Sequence, residues 1–180
     1  MDAHTSPDPI SEPKAYQDYL LSLLRGDDPG QVQAGTPNAW RALVSTAGAS
    51  GHVRPEPSEW SAIECLAHGV DAEVVMSARY RWILAHDEPP LIGYDQDLWV
   101  QRLHAQRHED PEELLQLFGA LRFANVTLWE NSSEEDRARV GMHAERGPES
   151  FDLCFRMLAG HDRFHLAQAK RALEAVSQKR

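Results

Sequence analysis

Apolar residues recur every three or four positions along four long parts of the chain, which is the period of an amphipathic helix. The last of these parts, residues 151–176, places Phe151, Phe155 and Leu158 on one side. The other three parts are residues 14–44, 58–85 and 111–131. No part of the chain shows convincing strand alternation. We therefore predict an all-α fold in which four long helices pack as a four-helix bundle.

Capping and breaking residues predict where the first two long helices begin. Pro13 begins the first helix, and glycine and proline interrupt it at residues 26–30. Its second piece begins with Thr36 as the N-cap and Pro37 as the first helical residue. Ser58 is the predicted N-cap of the second long helix, which ends at about residue 85.

The second half of the chain carries similar signals. Residues 86–110 form a long connection with a short helix at about 95–106, and a connection of this length can cross a bundle. Asp110 and Pro111 form a cap and first residue for the third long helix. Pro148 is the predicted start of the last helix.

Length, charge and cysteine content limit the possible classes of protein. A chain of 180 residues with 42% hydrophobic residues can form one domain with its own core. A formal charge of −10 argues against binding to nucleic acid or to an anionic membrane. Two cysteines make no disulfide framework, and no signal peptide or membrane span is evident. We expect a cytoplasmic protein with a flexible tail at residues 1–12 and a single domain over residues 13–180.

Two histidines four positions apart, His161 and His165, lie within the last predicted helix. Residues i and i+4 share one face of a helix, so the two imidazoles can bind one metal ion. His68 lies near Glu64 and Asp71 on the flank of an apolar helix face, where polar groups need a partner or a ligand. These three histidines are the candidate metal ligands. The alternative is that they bind no metal. A histidine on a helix more often lies in solvent or is hydrogen-bonded in a core.

Two stretches of the sequence resemble the DinB/YfiT-like family of metalloenzymes. The first stretch is residues 60–73 (WSAIECLAHGVDAE), followed by Arg79, and the second is residues 161–168 (HDRFHLAQ). Shorter similarities occur at residues 24–29, 36–37, 141–143 and 146–147. The sequence departs from the family at Gly69, where a second apolar residue is common.

The resemblance implies a bundle with a long crossover between the second and third helices. It also implies a homodimer and a divalent metal held by His68, His161 and His165. Known members include thiol-dependent S-transferases, which use low-molecular-weight thiols, and the related mycothiol-dependent maleylpyruvate isomerases. The resemblance thus implies transfer of such a thiol to an electrophilic small-molecule substrate. Imidazole suits zinc, nickel and iron, so the sequence leaves the metal open.

Other polar residues each have a functional and a structural interpretation. Glu64 and Asp71 are candidate catalytic residues, either as a general base or as an acceptor behind a metal ligand. Their structural alternative is a carboxylate at the rim that is paired with an arginine or exposed. Cys154 lies two helical turns from His161, roughly 10 Å along the axis, so we expect a buried inert thiol. The same two interpretations apply to Asp162, Gln168 and His143.

Three functions are consistent with these patterns. The first is the thiol-dependent S-transferase, and the second is a metal-dependent hydrolase that uses an activated water. The third is a non-catalytic metal-binding module of a stress response, which predicts a closed metal site without a cavity. A dimeric bundle without metal is the simplest alternative.

Overall fold

The computed structural model describes residues 7–8, 11–105 and 107–179, and these are mostly helical. The four long helices are α2 (Pro29–Ala47), α3 (Ala62–Ala85), α5 (Pro111–Glu130) and α7 (Phe151–Gln178). Shorter elements are α1 (Pro13–Ser22), α4 (Gln96–Trp99), α6 (Glu134–Ala138), β1 (Pro90–Leu91), β2 (Val140–His143) and β3 (Gly147–Ser150). None of the described helices is both long and apolar enough to span a membrane. The predicted tail at residues 1–12 lies mostly outside the described residues.

The four long helices pack as a bundle, which confirms the predicted fold class. Helix α3 packs along both α5 and α7, and α2 packs along the same two helices. Helices α2 and α3 contact each other little and therefore lie diagonally across the bundle. Residues 86–110 connect α3 to α5 and form the predicted long crossover.

A small sheet joins the crossover to the connection before α7, and the sequence did not predict it. Strand β1 pairs in parallel with β2, with Pro90 opposite Met142. Strand β2 pairs antiparallel with β3, with Met142 opposite Pro148. Strands of two to four residues are too short for alternation to be recognised.

The predicted start of α2 is wrong. The helix begins earlier, where the side chain of Asp28 accepts a hydrogen bond from the Gln31 N–H at 2.8 Å. Thr36 and Pro37 lie inside the helix. A proline is tolerated there because the carbonyl it leaves without an N–H partner, that of Gln33, accepts a hydrogen bond from Arg122 at 3.0 Å.

The starts of α3 and α7 also differ from prediction by about a turn. Helix α3 is capped by Ser61 rather than Ser58, and Ser61 forms a reciprocal capping box with Glu64. Helix α7 is capped by Ser150, because Pro148 is paired in β3. In both cases a serine close by satisfies the first free N–H groups better than the predicted residue.

The apolar core forms two clusters that leave a gap along α7. One cluster contains Tyr80, Phe155 and Leu158, and the other contains Phe118 and Ala169. The part of α7 between residues 158 and 169 therefore carries buried polar groups where the rest of the helix carries core residues.

Candidate metal centre

Three buried histidines from two adjacent helices meet in this gap. His161 and His165 lie one turn apart on α7, and His68 lies on α3. Their exposed fractions are 0% for His68, 8% for His161 and 4% for His165. The Nε2 atoms of His68 and His161 are 3.0 Å apart. One ligand atom from each ring lies within 4.8 Å of the other two.

All three imidazoles are held in the neutral form that binds metal. Burial lowers the pKa of each one well below its ordinary value, and electrostatic interactions with neighbouring histidines and arginines lower it further. At His165 the hydrogen bond to Gln168 opposes this effect. His165 Nδ1 lies 2.8 Å from Gln168 Oε1, which places the ring proton on Nδ1 and leaves the Nε2 lone pair free. Gln168 thus orients a candidate ligand.

The geometry of the three rings fits a divalent cation. Two imidazole nitrogens that each lie about 2.0–2.1 Å from one ion are about 2.9–3.4 Å apart at octahedral or tetrahedral angles. The 3.0 Å between His68 and His161 falls in this interval. The ligand atom of His165 lies within 4.8 Å of the other two. Neutral imidazoles suit zinc, nickel or iron.

Aromatic rings cover the histidines on the side of α3's N-terminus and the crossover. The Trp60 ring lies 5.0 Å from the ring of His68 and 5.9 Å from that of His165, nearly parallel to the latter. Tyr94, from the crossover, lies 6.4 Å from the His68 ring. These rings exclude water and strengthen electrostatic interactions at the centre.

A buried ionic network lies directly behind His161. Arg122, which is 1% exposed, donates to Glu73 at 2.6 Å and to Asp162 at 2.6 and 3.0 Å. Asn125 donates to the second oxygen of Glu73 at 2.8 Å. One cation thus faces two carboxylates, and α7 is fixed to α5 next to its histidines. Asp162 therefore has the structural role that was one of its two predicted interpretations, because it forms an ion pair with Arg122.

A cavity of about 320 Å³ opens beside the histidines and reaches His161. Helices α1, α3 and α7 form its inner wall, and the crossover and the β2–β3 hairpin form its outer wall. Its polar lining includes Tyr16, Arg79, Tyr94, His143, Arg146 and Glu149. A cavity of this size accepts a small molecule.

The candidate catalytic carboxylates are both engaged by other side chains. Glu64 belongs to the capping box of α3, and Arg54 donates to its two oxygens at 2.6 and 2.8 Å. Asp71 lies 2.9 Å from Nε2 of His104. The positive charge of His104 in turn contributes to the lowered pKa of His68. Catalytic roles for Glu64 and Asp71 remain predictions.

Cys154 and His143 both line the cavity. Cys154 is 1% exposed, and burial together with Glu149 raises the pKa of its thiol to about 12, so the thiol is protonated at neutral pH. Burial and the charges of Arg146 and Arg79 lower the pKa of His143 to about 4. His143 is therefore neutral.

Two arginines, Arg79 and Arg122, have structural roles next to the candidate metal centre that the sequence did not predict. Arg79 lines the cavity and Arg122 supports α7. The sequence indicates Arg79 only through the resemblance and does not single out Arg122. The available signal was the position of each arginine beside a buried helix face, where a charge needs a partner.

Comparisons with known proteins agree with this architecture. A model of the DinB superfamily matches residues 31–169. No curated protein matches the chain significantly. Among solved structures, the chain is similar to YfiT from Bacillus subtilis, described as a probable metal-dependent hydrolase with an unusual four-helix bundle topology. The TM-score is 0.73 at 17% identity, covering 92% of this chain and 88% of that one. At this identity the similarity shows the fold alone.

Proposed function

The chain belongs to the DinB superfamily, and on that premise we propose that it is an enzyme that depends on a divalent cation held by His68, His161 and His165. The main observation in support is that three neutral imidazoles lie within 4.8 Å of one another beside a cavity. A storage module would instead close the metal site with a fourth protein ligand and would have no adjoining cavity. The cavity at His161 therefore favours catalysis.

The surrounding residues prepare this centre in distinct ways. A divalent cation bound there supplies a Lewis acid that makes a neighbouring water or thiol acidic near neutral pH. Gln168 holds the proton of His165 on the ring nitrogen away from the centre. Trp60 and Tyr94 cover His68 and limit access of water from their side. A substrate would therefore reach the metal centre through the cavity at His161.

For the reaction we propose transfer of a low-molecular-weight thiol to a small electrophile. The thiol would have to come from a separate molecule, because both cysteines of the chain are buried. Burial raises the pKa of both thiols, so neither is a nucleophile at neutral pH. A small thiolate is a soft anionic ligand and suits a cation that carries only neutral imidazoles.

Hydrolysis by an activated water is the second candidate, and the size of the cavity favours it. About 320 Å³ is near the small end of ligand pockets and accepts one small substrate more readily than a thiol and an electrophile together. The similar structure YfiT is itself described as a probable metal-dependent hydrolase.

The first experiment measures metal in untagged protein by mass spectrometry. We expect about one divalent ion per chain in the wild type and at least a tenfold loss of affinity in His68→Ala. His86→Ala, which changes an exposed histidine in the crossover, is the matched control and should bind like the wild type. Equal metal content in all three proteins would overturn the proposed centre.

The second experiment separates the two reactions. Zinc-, nickel- and iron-loaded proteins are given a panel of small thiols with electrophiles, and a panel of esters and amides without thiol. Turnover that requires the thiol supports transfer, and turnover in its absence supports hydrolysis. No activity above His68→Ala in either panel with any metal would reject the enzymatic proposal.

We also propose a homodimer, as the resemblance implies. Apolar side chains exposed on the bundle support it: Phe123 is 75% exposed and Leu117 47% on α5, and Val74 is 46% exposed on α3. Sedimentation analysis of the wild type and Phe123→Ser tests this, since a dimer that buries Phe123 should dissociate in the variant. A monomeric wild type would reject it.

A further inference from the structure

Arg79 is a buried cation that has only neutral partners. It is 5% exposed, and its Nη2 atom lies 2.5 Å from the carbonyl oxygen of Ile92 and 3.2 Å from His143 Nε2. Its Nη1 atom has the thioether of Met76 at 3.8 Å, which is a weak acceptor. Its Nε is buried without a hydrogen-bond partner among the described residues. The guanidinium is thus incompletely hydrogen-bonded, which is costly at a buried site.

No carboxylate of the described residues makes an ion pair with Arg79. The nearby carboxylate of Glu149 is held by Arg146, at 2.6 and 3.1 Å, and by Gln17 at 3.0 Å. Burial and the charge of Arg146 lower the pKa of Arg79 by more than the nearby charge of Glu149 raises it, so this carboxylate does not fully compensate the cation. His143 cannot compensate because it is neutral.

Arg122, the other buried arginine among the described residues, has carboxylate partners that compensate its charge. Arg122 is 1% exposed and forms ion pairs with both Glu73 and Asp162. Arg79 lacks such a partner and, unlike Arg122, lines a cavity. This difference is expected if the partner of Arg79 is a ligand.

The cavity places Arg79 within reach of a molecule that also reaches the metal centre. Arg79 and His161 line the same space of about 320 Å³. The same lining also includes the apolar residues Leu20, Ala72, Val75, Met76, Met157 and Leu158. A small molecule with an apolar body and an anionic end matches this lining.

We propose that Arg79 binds the carboxylate of a small monoanionic ligand whose other end faces the three histidines. The statement about the far end rests on the proposed metal-dependent function, whereas the carboxylate site depends on Arg79 alone. Arginine pairs strongly with carboxylates because both groups are planar and charged. Exposed carboxylates that line the cavity, including those of Asp95, Asp97 and Glu145, disfavour a second negative charge on the ligand.

The probes are benzoate and its neutral isostere benzamide, titrated calorimetrically into the protein. EDTA-treated protein is used first, so that the carboxylate cannot bind a metal. We expect benzoate to bind and benzamide to bind at least tenfold more weakly. Arg79→Gln should lose at least tenfold in benzoate affinity and Arg79→Lys should lose less, since it keeps the charge. Arg156→Gln, at an exposed arginine of α7, should bind like the wild type.

Two results would overturn the proposal. One is equal affinity for benzoate and benzamide, and the other is unchanged benzoate binding in Arg79→Gln. Circular dichroism and thermal unfolding confirm that each variant is folded. If Arg79→Gln does not fold, the comparison of benzoate with benzamide in the wild type keeps the test decisive. Benzoate binding that persists in His68→Ala, while activity is lost, separates this site from the metal centre. Catalytic activity without benzoate binding would reject the carboxylate site but would still support the proposed enzymatic function.

A third probe identifies which molecule carries the carboxylate. In zinc-loaded protein, 3-mercaptobenzoate is compared with benzoate in the wild type, in Arg79→Gln and in His68→Ala. A gain in affinity that requires both residues assigns the carboxylate to the thiol. A gain that His68→Ala abolishes but Arg79→Gln preserves assigns the carboxylate to the other substrate.

Discussion

The carbonyl oxygen of Gln33 accepts a hydrogen bond from Arg122 at 3.0 Å, four residues before a proline that has no N–H to offer it. This contact lets α2 continue through Pro37 as one helix. The same guanidinium binds Asp162, next to a candidate metal ligand. One side chain of α5 thus fixes both α2 and α7.

Replacing Arg122 should therefore destabilise the whole bundle. Arg122→Met leaves Glu73 and Asp162 buried without their cation, and we expect the free energy of unfolding to fall by about 3–5 kcal/mol. Urea denaturation followed by circular dichroism measures this. Arg41→Gln breaks an exposed ion pair between α2 and α5 and should cost less than about 1 kcal/mol. Similar losses in the two variants would contradict the prediction.

Two glycines in long helices should respond in opposite directions to alanine. A Cβ atom on Gly160 would lie 2.0 Å from the carbonyl oxygen of Leu20, so Gly160→Ala must push α1 away from α7. We expect a loss of about 1–3 kcal/mol. A Cβ atom on Gly119 meets nothing within 4 Å, so Gly119→Ala should gain up to about 1 kcal/mol. Thermal unfolding distinguishes these outcomes, and a stabilised Gly160→Ala protein would refute the close packing.

Metal binding should be visible in the fluorescence of Trp60. Its ring lies 5.0 Å from His68 and 5.9 Å from His165, so a cation bound there would perturb the indole. We expect zinc to change the emission of EDTA-treated protein, and Trp60→Phe to remove most of that change. Trp82→Phe alters a tryptophan that is 41% exposed and serves as the control. A full zinc response in Trp60→Phe would place the ion elsewhere.

The contribution of His104 to stability should depend on pH. Its hydrogen bond to Asp71 raises its pKa above the ordinary value, with Glu109 adding to the effect and burial opposing it. A raised pKa in the folded protein stabilises the fold below the unfolded pKa of about 6.5, and that stabilisation is lost as pH rises through the folded pKa.

We therefore expect His104→Gln to cost more at pH 5.5 than at pH 8.5, by up to about 1 kcal/mol because the pair is partly open to water. Urea denaturation of both proteins at the two pH values measures the difference. His86→Gln, at an exposed position, should show no such dependence. A cost for His104→Gln that is the same at both pH values would exclude a charged pair with Asp71.

The two cysteines should be unreactive in the folded protein. Cys65 is 0% exposed and Cys154 is 1% exposed, and burial raises the pKa of both thiols. We expect a thiol reagent at pH 8 to label neither cysteine in native protein and both after denaturation. Rapid labelling of Cys154 in the native state would reopen a nucleophilic role for it.

Sequence patterns correctly predicted the features that depend on contacts within a few residues of the chain. Asp110 and Pro111 begin α5 as predicted, because a cap and a first-turn proline act within a few residues. The four-residue spacing of His161 and His165 places them on one face for the same reason. The pattern could nominate His68 as their partner, but only the packing of α3 against α7 brings its Nε2 atom to 3.0 Å from His161.

Features that depend on distant residues could not be predicted from the sequence. The passage of α2 through Pro37 requires Arg122, which lies 85 positions further along the chain. The strand at Leu91 exists only because it pairs with His143. The unmatched charge of Arg79 is likewise a property of the packed structure, because it depends on which carboxylates come near.

The helices that carry the three histidines are not the segments that form the outer wall of the cavity. The imidazoles lie on α3 and α7, whereas residues 93–97 of the crossover and residues 143–149 of the β2–β3 hairpin supply the outer wall. Changes in these two connections can therefore alter which molecules enter the cavity while the three imidazoles stay on the same helices. A bundle built this way can change what its cavity accepts through loop replacement, while its helices keep the three histidines in place.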